Sequence, residues 1–189
     1  MHTYHYICYN FNIEYEGMVM EFETKHVLVK KFIPEYIKVM YETWGTDREV
    51  GKYMPGFKTE WDIEGFTDYI IRTYKDEYHT RAIIQDKKTN KIIGNISLYQ
   101  EDSRSQSINM WIIKEYWGKG YGTEVLNGII KELKKTKLES LYATCDGRNI
   151  GAVRMLEKTE FELIDTIPNY RVDIDGTPGD ELLYELELR

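Results

Sequence analysis

The sequence predicts a mixed α/β fold: a mostly antiparallel central sheet of about seven strands, with helices on both faces. Three segments with strand-like alternation, at 81–86, 92–100 and 105–113, follow one another across short polar turns, which is typical of antiparallel hairpins. Residues 118–158 then alternate between helix and strand, which places helices against the sheet. Consecutive hairpins are incompatible with the steady β–α alternation of a doubly wound dinucleotide fold.

The other elements follow from hydrophobic periodicity and from turn residues. Pro34 suits the first turn of a helix, and Gly94 inside a strand predicts a bulge or a close approach of another backbone. The predicted order is strand 26–32, helices 34–44 and 60–77, the three strands above, a helix between the turn at 118–122 and about residue 135, a strand around 141–145, a short helix to 158, and strands at 161–166 and 182–188.

The chain divides into an N-terminal extension, residues 1–24, and one domain, residues 25–189. Tyrosine-rich alternation in the extension predicts one or two strands. A second interpretation is that translation begins at Met18 or Met20 and that the residues before it are accessory. The sequence leaves both interpretations open.

Composition excludes several classes of protein. The chain has 189 residues, a net charge of −7 and a pI near 5.2, which argues against nucleic acid as the main partner and is compatible with an amine substrate. Apolar runs are too short to span a membrane, and the first residues lack the features of a signal peptide. Two cysteines form no disulfide framework, so a reducing, cytoplasmic location is expected. A monomer and a homodimer are both open, and no metal site is predicted.

A glycine-rich turn between a strand and a helix is the main candidate for a binding site. It reads Gly118-Lys119-Gly120-Tyr121-Gly122 and precedes a helix with a one-sided apolar stripe from Val125 to Leu133. Glycines let the backbone lie close to a ligand, and the free amides at a helix N-terminus bind anions, most often phosphate. A plain tight turn is the alternative. The turn is neither a P-loop nor a G-x-G-x-x-G motif, because Thr123 occupies the sixth position.

Three sets of residues resemble the GNAT superfamily of acetyl-CoA-dependent N-acetyltransferases, particularly the branch of ribosomal-protein N-terminal (alanine) acetyltransferases. The segment 116–121, Tyr-Trp-Gly-Lys-Gly-Tyr, resembles that branch's pyrophosphate loop, with Trp117 in the Arg/Gln position. Asn149, Arg154, Glu157, Lys158 and Phe161 match its motif N-x-x-S-x-R-x-x-E-K-x-G-F. The segment 44–55, from Trp44-Gly45-Thr46-Asp47 to Tyr53-Met54-Pro55, resembles W-x-x-D-x-E-V…Y-x-P.

The resemblance implies a binding site for acetyl-CoA and names its residues. In the family the central strand separates from its neighbour near Trp111, Ile112 and Ile113, whose main-chain groups bind pantetheine. The pyrophosphate is implied to lie on the turn formed by Gly118, Lys119, Gly120, Tyr121, Gly122 and Thr123. Asn149 is implied to bind the pantetheine arm, although it also suits a helix N-cap. Arg154 or Lys158 is implied to reach the adenosine phosphate, although a solvated helix face suits them equally.

The catalytic positions depart from the family pattern. Ser107 stands where the family usually carries a glutamate base, Ala152 replaces a serine, Leu156 replaces a tyrosine acid and Glu160 replaces a glycine. The remaining candidates for handling the amine proton are Ser107 and Asn109, which could hold a water, and the acids Glu101, Asp102 and Glu49. Tyr53, Met54 and Glu49 are the substrate-binding candidates. Neither Cys8 nor Cys145 has an activating partner, so direct transfer in a ternary complex is expected, with the oxyanion held by a main-chain amide near Ile112 or Ile113.

Two functions remain open at the level of sequence. The first is an enzyme that acetylates a primary amine, either a protein N-terminus or a small amine such as a polyamine or aminoglycoside. The second is a non-catalytic acyl-CoA-binding module or sensor, which the departures at the catalytic positions favour. Catalysis by positioning can survive the loss of a base if the amine arrives neutral.

Overall fold

An eight-stranded sheet forms the centre of the molecule, with strand order β1-β2-β3-β4-β5-β6-β8-β7. The computed structural model describes residues 20–54, 57, 60–74 and 78–189. All neighbouring strands pair antiparallel except β5 and β6. The strands are β1 Phe22–Glu23, β2 Val27–Lys31, β3 His79–Asp86, β4 Ile92–Gln100, β5 Ser105–Ile112, β6 Ser140–Asp146, β7 Glu162–Val172 and β8 Pro178–Glu187.

The helices are of two kinds, three longer ones that pack on the sheet and several single turns. The helices are α1 Ile37–Met40, α2 Arg48–Gly51, α3 Ile63–Tyr74, α4 Tyr121–Leu133 and α5 Ile150–Glu157. A 3₁₀ turn, Pro34–Tyr36, precedes α1, a π turn, Tyr41–Gly45, follows it, and a second 3₁₀ turn, Lys114–Tyr116, follows β5.

Two hydrophobic cores cover the two faces of the sheet, as the alternation of β3 shows. Ala82 and Ile84 belong to the core beneath α4 and α5, whereas Ile83 between them belongs to the core beneath α1 and α3. Successive side chains of a strand point to opposite faces. The predicted fold class, with helices on both faces of a mostly antiparallel sheet, is therefore confirmed.

Several details differ from the predicted elements. The helix predicted at 34–44 is a succession of 3₁₀, α and π turns, and it ends where Gly45 packs so closely on Phe66 that a Cβ would lie 2.9 Å from its ring. The strand predicted at 161–166 continues to Val172, because it pairs with β8 along most of its length. The predicted strands of residues 1–19 and the end of the helix predicted to reach 77 lie outside the described residues, whereas Phe22–Glu23 do form a short strand.

No helix among the described residues is long and apolar enough to cross a membrane. The part of the chain that the structure describes also contains no group of three or more His, Cys, Asp or Glu side chains that could hold a metal ion.

Candidate active site

A gap opens between β5 and β6, the one parallel pair of the described sheet. Their register runs from Ser105–Ser140 to Ile108–Ala143 and stops there. Beyond this point β5 stays paired with β4 as far as Ile112, while β6 stays paired with β8 as far as Asp146. Residues 109–112 of β5 therefore present one main-chain edge to the gap. The family resemblance implied such a separation near Trp111, and in the structure it begins earlier, at Asn109.

Alternation along β5 shows which main-chain groups face the gap. The Ile113 amide donates to the Ile93 carbonyl at 2.8 Å, so Ile113 and, two residues back, Trp111 turn their main-chain groups towards β4. Met110 and Ile112 then turn theirs towards the gap. Of the two residues expected to supply an oxyanion amide, only Ile112 has its amide on this side, since the Ile113 amide is already engaged.

The glycine in β4 fixes this geometry. A Cβ on Gly94 would lie only 2.1 Å from the Trp111 carbonyl oxygen, so no larger residue fits between the strands without moving β5. The predicted close approach at Gly94 is confirmed, and the neighbouring register shift between Ile84 and Gln85 of β3 is the expected bulge.

The glycine-rich turn lies between the end of β5 and the start of α4, and its amides donate to no described residue. Gly118 and Gly120 have φ of +68° and +85°, and a Cβ at either position would meet nothing within 4 Å. Gly120 is the N-cap of α4 and supplies no side-chain cap. Among the described residues no acceptor binds the amides of 118–123, and the first helical amide that is bonded belongs to Glu124, which donates to Gly120. Free amides at the positive end of a helix dipole are an arrangement that can bind an anion.

Side chains on both sides of the turn hold it in place. The Trp117 indole Nε1 donates to the Ile112 carbonyl at 2.6 Å, which links the turn to the edge of the gap. The Tyr121 hydroxyl donates to Asp86 Oδ2 at 2.9 Å, so the Tyr121 side chain points away from the free amides of the turn and only its own amide is one of them. A Cβ on Gly122 would lie 2.9 Å from Met155 Sδ, so this glycine allows α5 to pack against the start of α4.

Asp86, the acceptor of the Tyr121 hydrogen bond, is buried. Burial alone would raise the pKa of its carboxyl, but hydrogen bonds from Thr89 and Tyr121 hold that pKa below its ordinary value. The same bond to Asp86 raises the pKa of Tyr121. The start of α4 is thus bonded to the end of β3 through a charged acceptor.

The cationic candidates around the turn are exposed. Lys119 Nζ lies 5.8 Å from the centroid of the Tyr116 ring, and Arg154 and Lys158 lie exposed on α5. None of the three forms an ion pair with a described residue. Asn149 is the N-cap of α5, because its side-chain oxygen accepts from the Ala152 amide at 3.2 Å; the N-cap interpretation is confirmed, and its side-chain NH₂ stays available to a ligand.

The face of the sheet that packs against α1 and α3 carries two of the catalytic candidates. Ser107 and Asn109 alternate with Ile108 and share the face of Trp111, which packs on the α1–α3 core. Ser107 is paired with Tyr99 and Tyr142, and Asn109 with Ser97. Ser107 therefore lies in the paired part of β5, next to Ile108, which forms the last pair with β6. Asn109 is the first residue of β5 beyond that pair.

Asp102 and Glu101, two further candidates for the base that removes the amine proton, both lie in the β4–β5 turn. Asp102 Oδ1 accepts from the amides of Arg104 and Ser105 at 2.7 and 2.8 Å, and these bonds, the Arg104 amide first, hold the pKa of Asp102 below its ordinary value. A carboxylate held in this way closes the β4–β5 turn and is a weak base. Glu101 lies exposed in the same turn, at the end of β5 that is farther from the gap.

The loop between α1 and α3 lies on the same face of the sheet and contains the substrate-binding candidates. Asp47 caps α2 by accepting from the Glu49 amide at 2.8 Å, and the Glu49 carboxylate is 3.5 Å from Lys114 Nζ. Met54 lines a cavity of about 20 Å³, which is room for about one water molecule. The other lining residues are mostly aromatic: Gly45, Phe57, Trp61, Phe66, Tyr69 and Trp111. The predicted residues Pro55 and Gly56 lie outside the described residues.

A charged cluster fastens this loop to the β7–β8 connection. Arg148 pairs with Asp146 at 2.6 Å and with Asp173 at 3.1 Å, and its guanidinium lies 5.6 Å from the centre of the Tyr53 ring. Burial opposes ionisation of Asp146, yet its bonds to Arg148 hold its pKa below the ordinary value. The Ile174 amide also donates to the Lys52 carbonyl at 3.2 Å. Tyr53 is therefore held in place beside this face of the sheet.

Sequence reasoning missed two residues on this face, Tyr142 and Glu185. The Tyr142 hydroxyl donates to Glu185 Oε1 at 2.8 Å, and both side chains are half-buried. A tyrosine between the inward-facing Leu141 and Ala143 is the available sequence signal, because it must lie on the opposite face from them.

Comparison with known proteins identifies the family. Residues 26–162 match the family model described as an acetyltransferase (GNAT) domain. The chain therefore belongs to the GNAT family of acetyltransferases, and it is an acyltransferase by that membership.

Solved structures share the fold at low sequence identity. A GNAT-family acetyltransferase from Bacillus anthracis is 20% identical, with a TM-score of 0.76 over 89% of this chain and 99% of that one. A spermidine N-acetyltransferase from Vibrio cholerae, in complex with coenzyme A and spermine, is 15% identical, with a TM-score of 0.77 over 87% and 97%. A ribosomal α-N-protein acetyltransferase in complex with coenzyme A is 11% identical, with a TM-score of 0.75 over 87% and 95%.

Proposed function

We propose that this protein transfers an acetyl group from acetyl-CoA to a primary amine, directly and within a ternary complex. The observation that carries the proposal is the gap between β5 and β6, with the unpaired edge of β5 next to a glycine-rich turn whose amides bond to no described residue. A pantetheine arm has amides that can pair with such a strand edge, and a pyrophosphate suits such a turn.

The residues of the chain fit the cosubstrate in three places. The Ile112 amide and the Met110 carbonyl, which both face the gap, would bind the pantetheine amides, as an added strand does. The amides of 118–123 and Lys119 would bind the pyrophosphate, with Arg154 and Lys158 as exposed charges for the adenosine phosphate. The Asn149 side-chain NH₂ would reach the pantetheine arm. When bound, the cosubstrate supplies an activated acetyl thioester.

The acceptor would approach from the face that carries Ser107, Asn109 and Trp111. The Met110 amide also points into the gap, on the side of Ile112 that is farther from the glycine turn, and is the donor that would stabilise the negative charge on the carbonyl oxygen during transfer. Tyr53, Met54 and Glu49, in the loop that covers this face, would contact the acceptor. A protein N-terminus and a small amine are both primary amines of this kind.

Ligand-dependent stability with a matched pair of glycine variants tests the cosubstrate site. Acetyl-CoA should raise the unfolding temperature of the wild type, because a ligand at a hundredfold excess over Kd adds about 2.7 kcal/mol. Gly120→Asp should abolish this stabilisation, since a carboxylate would face the pyrophosphate. Gly176→Asp is the control: Gly176 has φ of +79° and equally open space, but it lies in the β7–β8 connection.

The control separates strain in the backbone from loss of the site. Both variants should lose similar intrinsic stability, because both place a side chain on a left-handed residue. Only Gly176→Asp should still respond to acetyl-CoA. A wild type that acetyl-CoA does not stabilise would refute the proposed site, and stabilisation without any acetylated product would favour a binding module.

A further inference from the structure

A row of side chains crosses the acceptor face where the gap closes. The register places Ser107 beside Tyr142 and Tyr142 beside Glu185, and residues paired across neighbouring strands share a face of the sheet. Only one further pair, Ile108–Ala143, separates this row from the open part of the gap. The row therefore borders the place where the proposed acceptor amine meets the thioester.

The Glu185 carboxylate accepts hydrogen bonds from two hydroxyl groups. Tyr142 and Ser140 each donate to its Oε1 at 2.8 Å. The bond to Glu185 is also the main cause that raises the pKa of Tyr142. Tyr142 consequently keeps its proton at neutral pH and donates it to Glu185, which fixes the direction of the hydrogen bond.

The negative charge of Glu185 has no basic partner among the described residues, whereas several acids of the charged clusters on β6, β8 and the β7–β8 connection do. Glu181 pairs with Arg171, Asp146 and Asp173 pair with Arg148, and Asp175 pairs with Arg48. Glu185 alone of these acids is bonded only to hydroxyl groups. A half-buried carboxylate without a cation favours the binding of one. An acceptor amine arrives at neutral pH as an ammonium ion, which is such a cation.

We propose that Glu185, acting through the Tyr142 hydroxyl, holds the acceptor ammonium ion and takes up the proton that it must lose. The inference rests on the proposed acetyltransferase function and assigns the proton acceptor that position 107 does not supply. A serine at 107 leaves open the space beside Tyr142 that a glutamate side chain there would occupy.

The ammonium ion passes a proton to the Tyr142 oxygen while the Tyr142 hydroxyl proton passes to Glu185 Oε1. The lone pair of the neutral amine then forms the C–N bond, the C–S bond breaks, and its electron pair leaves with sulfur. The second amine proton neutralises the thiolate, and Glu185 returns its proton to water, so one proton is released per turnover.

Other titratable groups surround this pair on every neighbouring element. Tyr99 lies across Ser107 on β4, Asp102 lies in the β4–β5 turn and adds to the raised pKa of Tyr142, and Glu162 on β7 and Glu187 on β8 are exposed. Asp102 is already held by two amides. Glu187, two residues from Glu185 on the same strand and the same face, is therefore the matched control.

The test compares the pH dependence of kcat/KM in four proteins: the wild type, Glu185→Gln, Tyr142→Phe and Glu187→Gln. The substrate is an amine that the wild type acetylates. The wild-type profile should level off at a pH below the amine's own pKa. In Glu185→Gln and Tyr142→Phe, kcat/KM should fall at neutral pH by about 10²–10⁴-fold and rise with pH without a plateau. Glu187→Gln should keep the wild-type profile.

Stabilisation by acetyl-CoA, measured in each variant, shows whether the fold and the cosubstrate site survive. If Glu185→Gln loses this stabilisation, Tyr142→Phe decides the question, because it removes a single oxygen atom. An active wild type whose profile both substitutions leave unaltered overturns the inference alone. A wild type that acetylates no amine overturns the proposed function and the inference together.

Discussion

Cys145 shows how a single residue limits the mechanism. Its thiol is buried in β6, and burial raises its pKa to about 11. A thiol with such a pKa carries almost no thiolate at neutral pH, and the thiolate is the reactive form. The structure therefore supports direct transfer over an acetyl-enzyme at Cys145.

We expect Cys145→Ala to retain at least about a tenth of the wild-type kcat/KM, because the change removes a packing atom and no reacting group. Initial-rate kinetics should give intersecting lines in both wild type and variant. Parallel lines, or an acetylated Cys145 found by mass spectrometry after quenching, would contradict direct transfer.

Tyr121 supports the glycine turn through Asp86, and its removal should be visible in stability. Tyr121→Phe leaves Asp86 Oδ2, a buried carboxylate oxygen, without its tyrosine donor, which should cost about 1–3 kcal/mol in the free energy of unfolding at pH 7. Chemical denaturation measures this cost. Tyr170→Phe is the control, because Tyr170 is 57% exposed.

The stability that Tyr121→Phe loses relative to the wild type should become smaller as the pH falls. The pKa of Asp86 is lowered in the folded protein, so its contribution is present above the unfolded pKa, about 3.9, and is lost as the pH falls through the folded pKa. The difference between Tyr121→Phe and wild type should therefore narrow in acid. A difference that stays constant down to pH 3 would contradict a charged acceptor.

Single residues also show why the sequence predicts the proposed cosubstrate site but not the proposed proton acceptor. The glycines, Trp117 and Asn149 lie in contiguous motifs whose local chemistry is readable. Tyr142 and Glu185 are 43 positions apart, and their contact depends on the register of β6 against β8. Which of Ile112 and Ile113 faces the gap depends in turn on the pairing of β5 with β4.

At the scale of elements, the pairing of β4 with β5 determines the shape of the gap. The Trp111 carbonyl lies so close to Gly94 that there is no room for a Cβ. Gly94→Ala should therefore displace β5, lower the free energy of unfolding by several kcal/mol and weaken acetyl-CoA binding. Gly151→Ala in α5 is the matched control, because a Cβ there would meet only Asn149 Oδ1 at 3.6 Å. Alanine in a helix should stabilise by about 0.5–1 kcal/mol.

Unfolding in denaturant and titration with acetyl-CoA separate these effects. Gly94→Ala should lose both stability and affinity, whereas Gly151→Ala should lose neither. A Gly94→Ala variant with wild-type stability and affinity would show that the strands tolerate a wider spacing, and the role assigned to this glycine would be wrong.

Elements with strong periodicity were predicted well, and those set by tertiary packing were not. Strand 92–100 has its predicted bounds, and the predicted apolar stripe from Val125 to Leu133 lies on the buried side of α4. The helix at 34–44 breaks into three kinds of turn, because apolar spacing cannot distinguish 3₁₀, α and π turns. β7 continues beyond its predicted end at 166 because it pairs with β8, a strand that comes later in the sequence.

At the scale of the whole molecule, the cosubstrate site should not need the first residues of the chain. We predict that a chain beginning at Met18 still binds acetyl-CoA. Such a chain keeps Met20, which is buried in the core beneath α4, and Phe22, whose ring lies 2.3 Å from the position of a Cβ on Gly128. Thermal stabilisation by acetyl-CoA is the measurement, and a soluble shortened chain that acetyl-CoA does not stabilise would contradict the prediction.

Analysis of the products formed from a panel of primary amines is the most direct test of the central claim, that the gap and the glycine turn serve acetyl transfer. The wild type should be incubated with acetyl-CoA and peptides with free N-termini, polyamines or aminoglycosides, and the products identified by mass spectrometry. We predict an acetylated amine in at least one class, formed by Gly176→Asp but not by Gly120→Asp. A protein that acetyl-CoA stabilises but that acetylates no amine would contradict the claim.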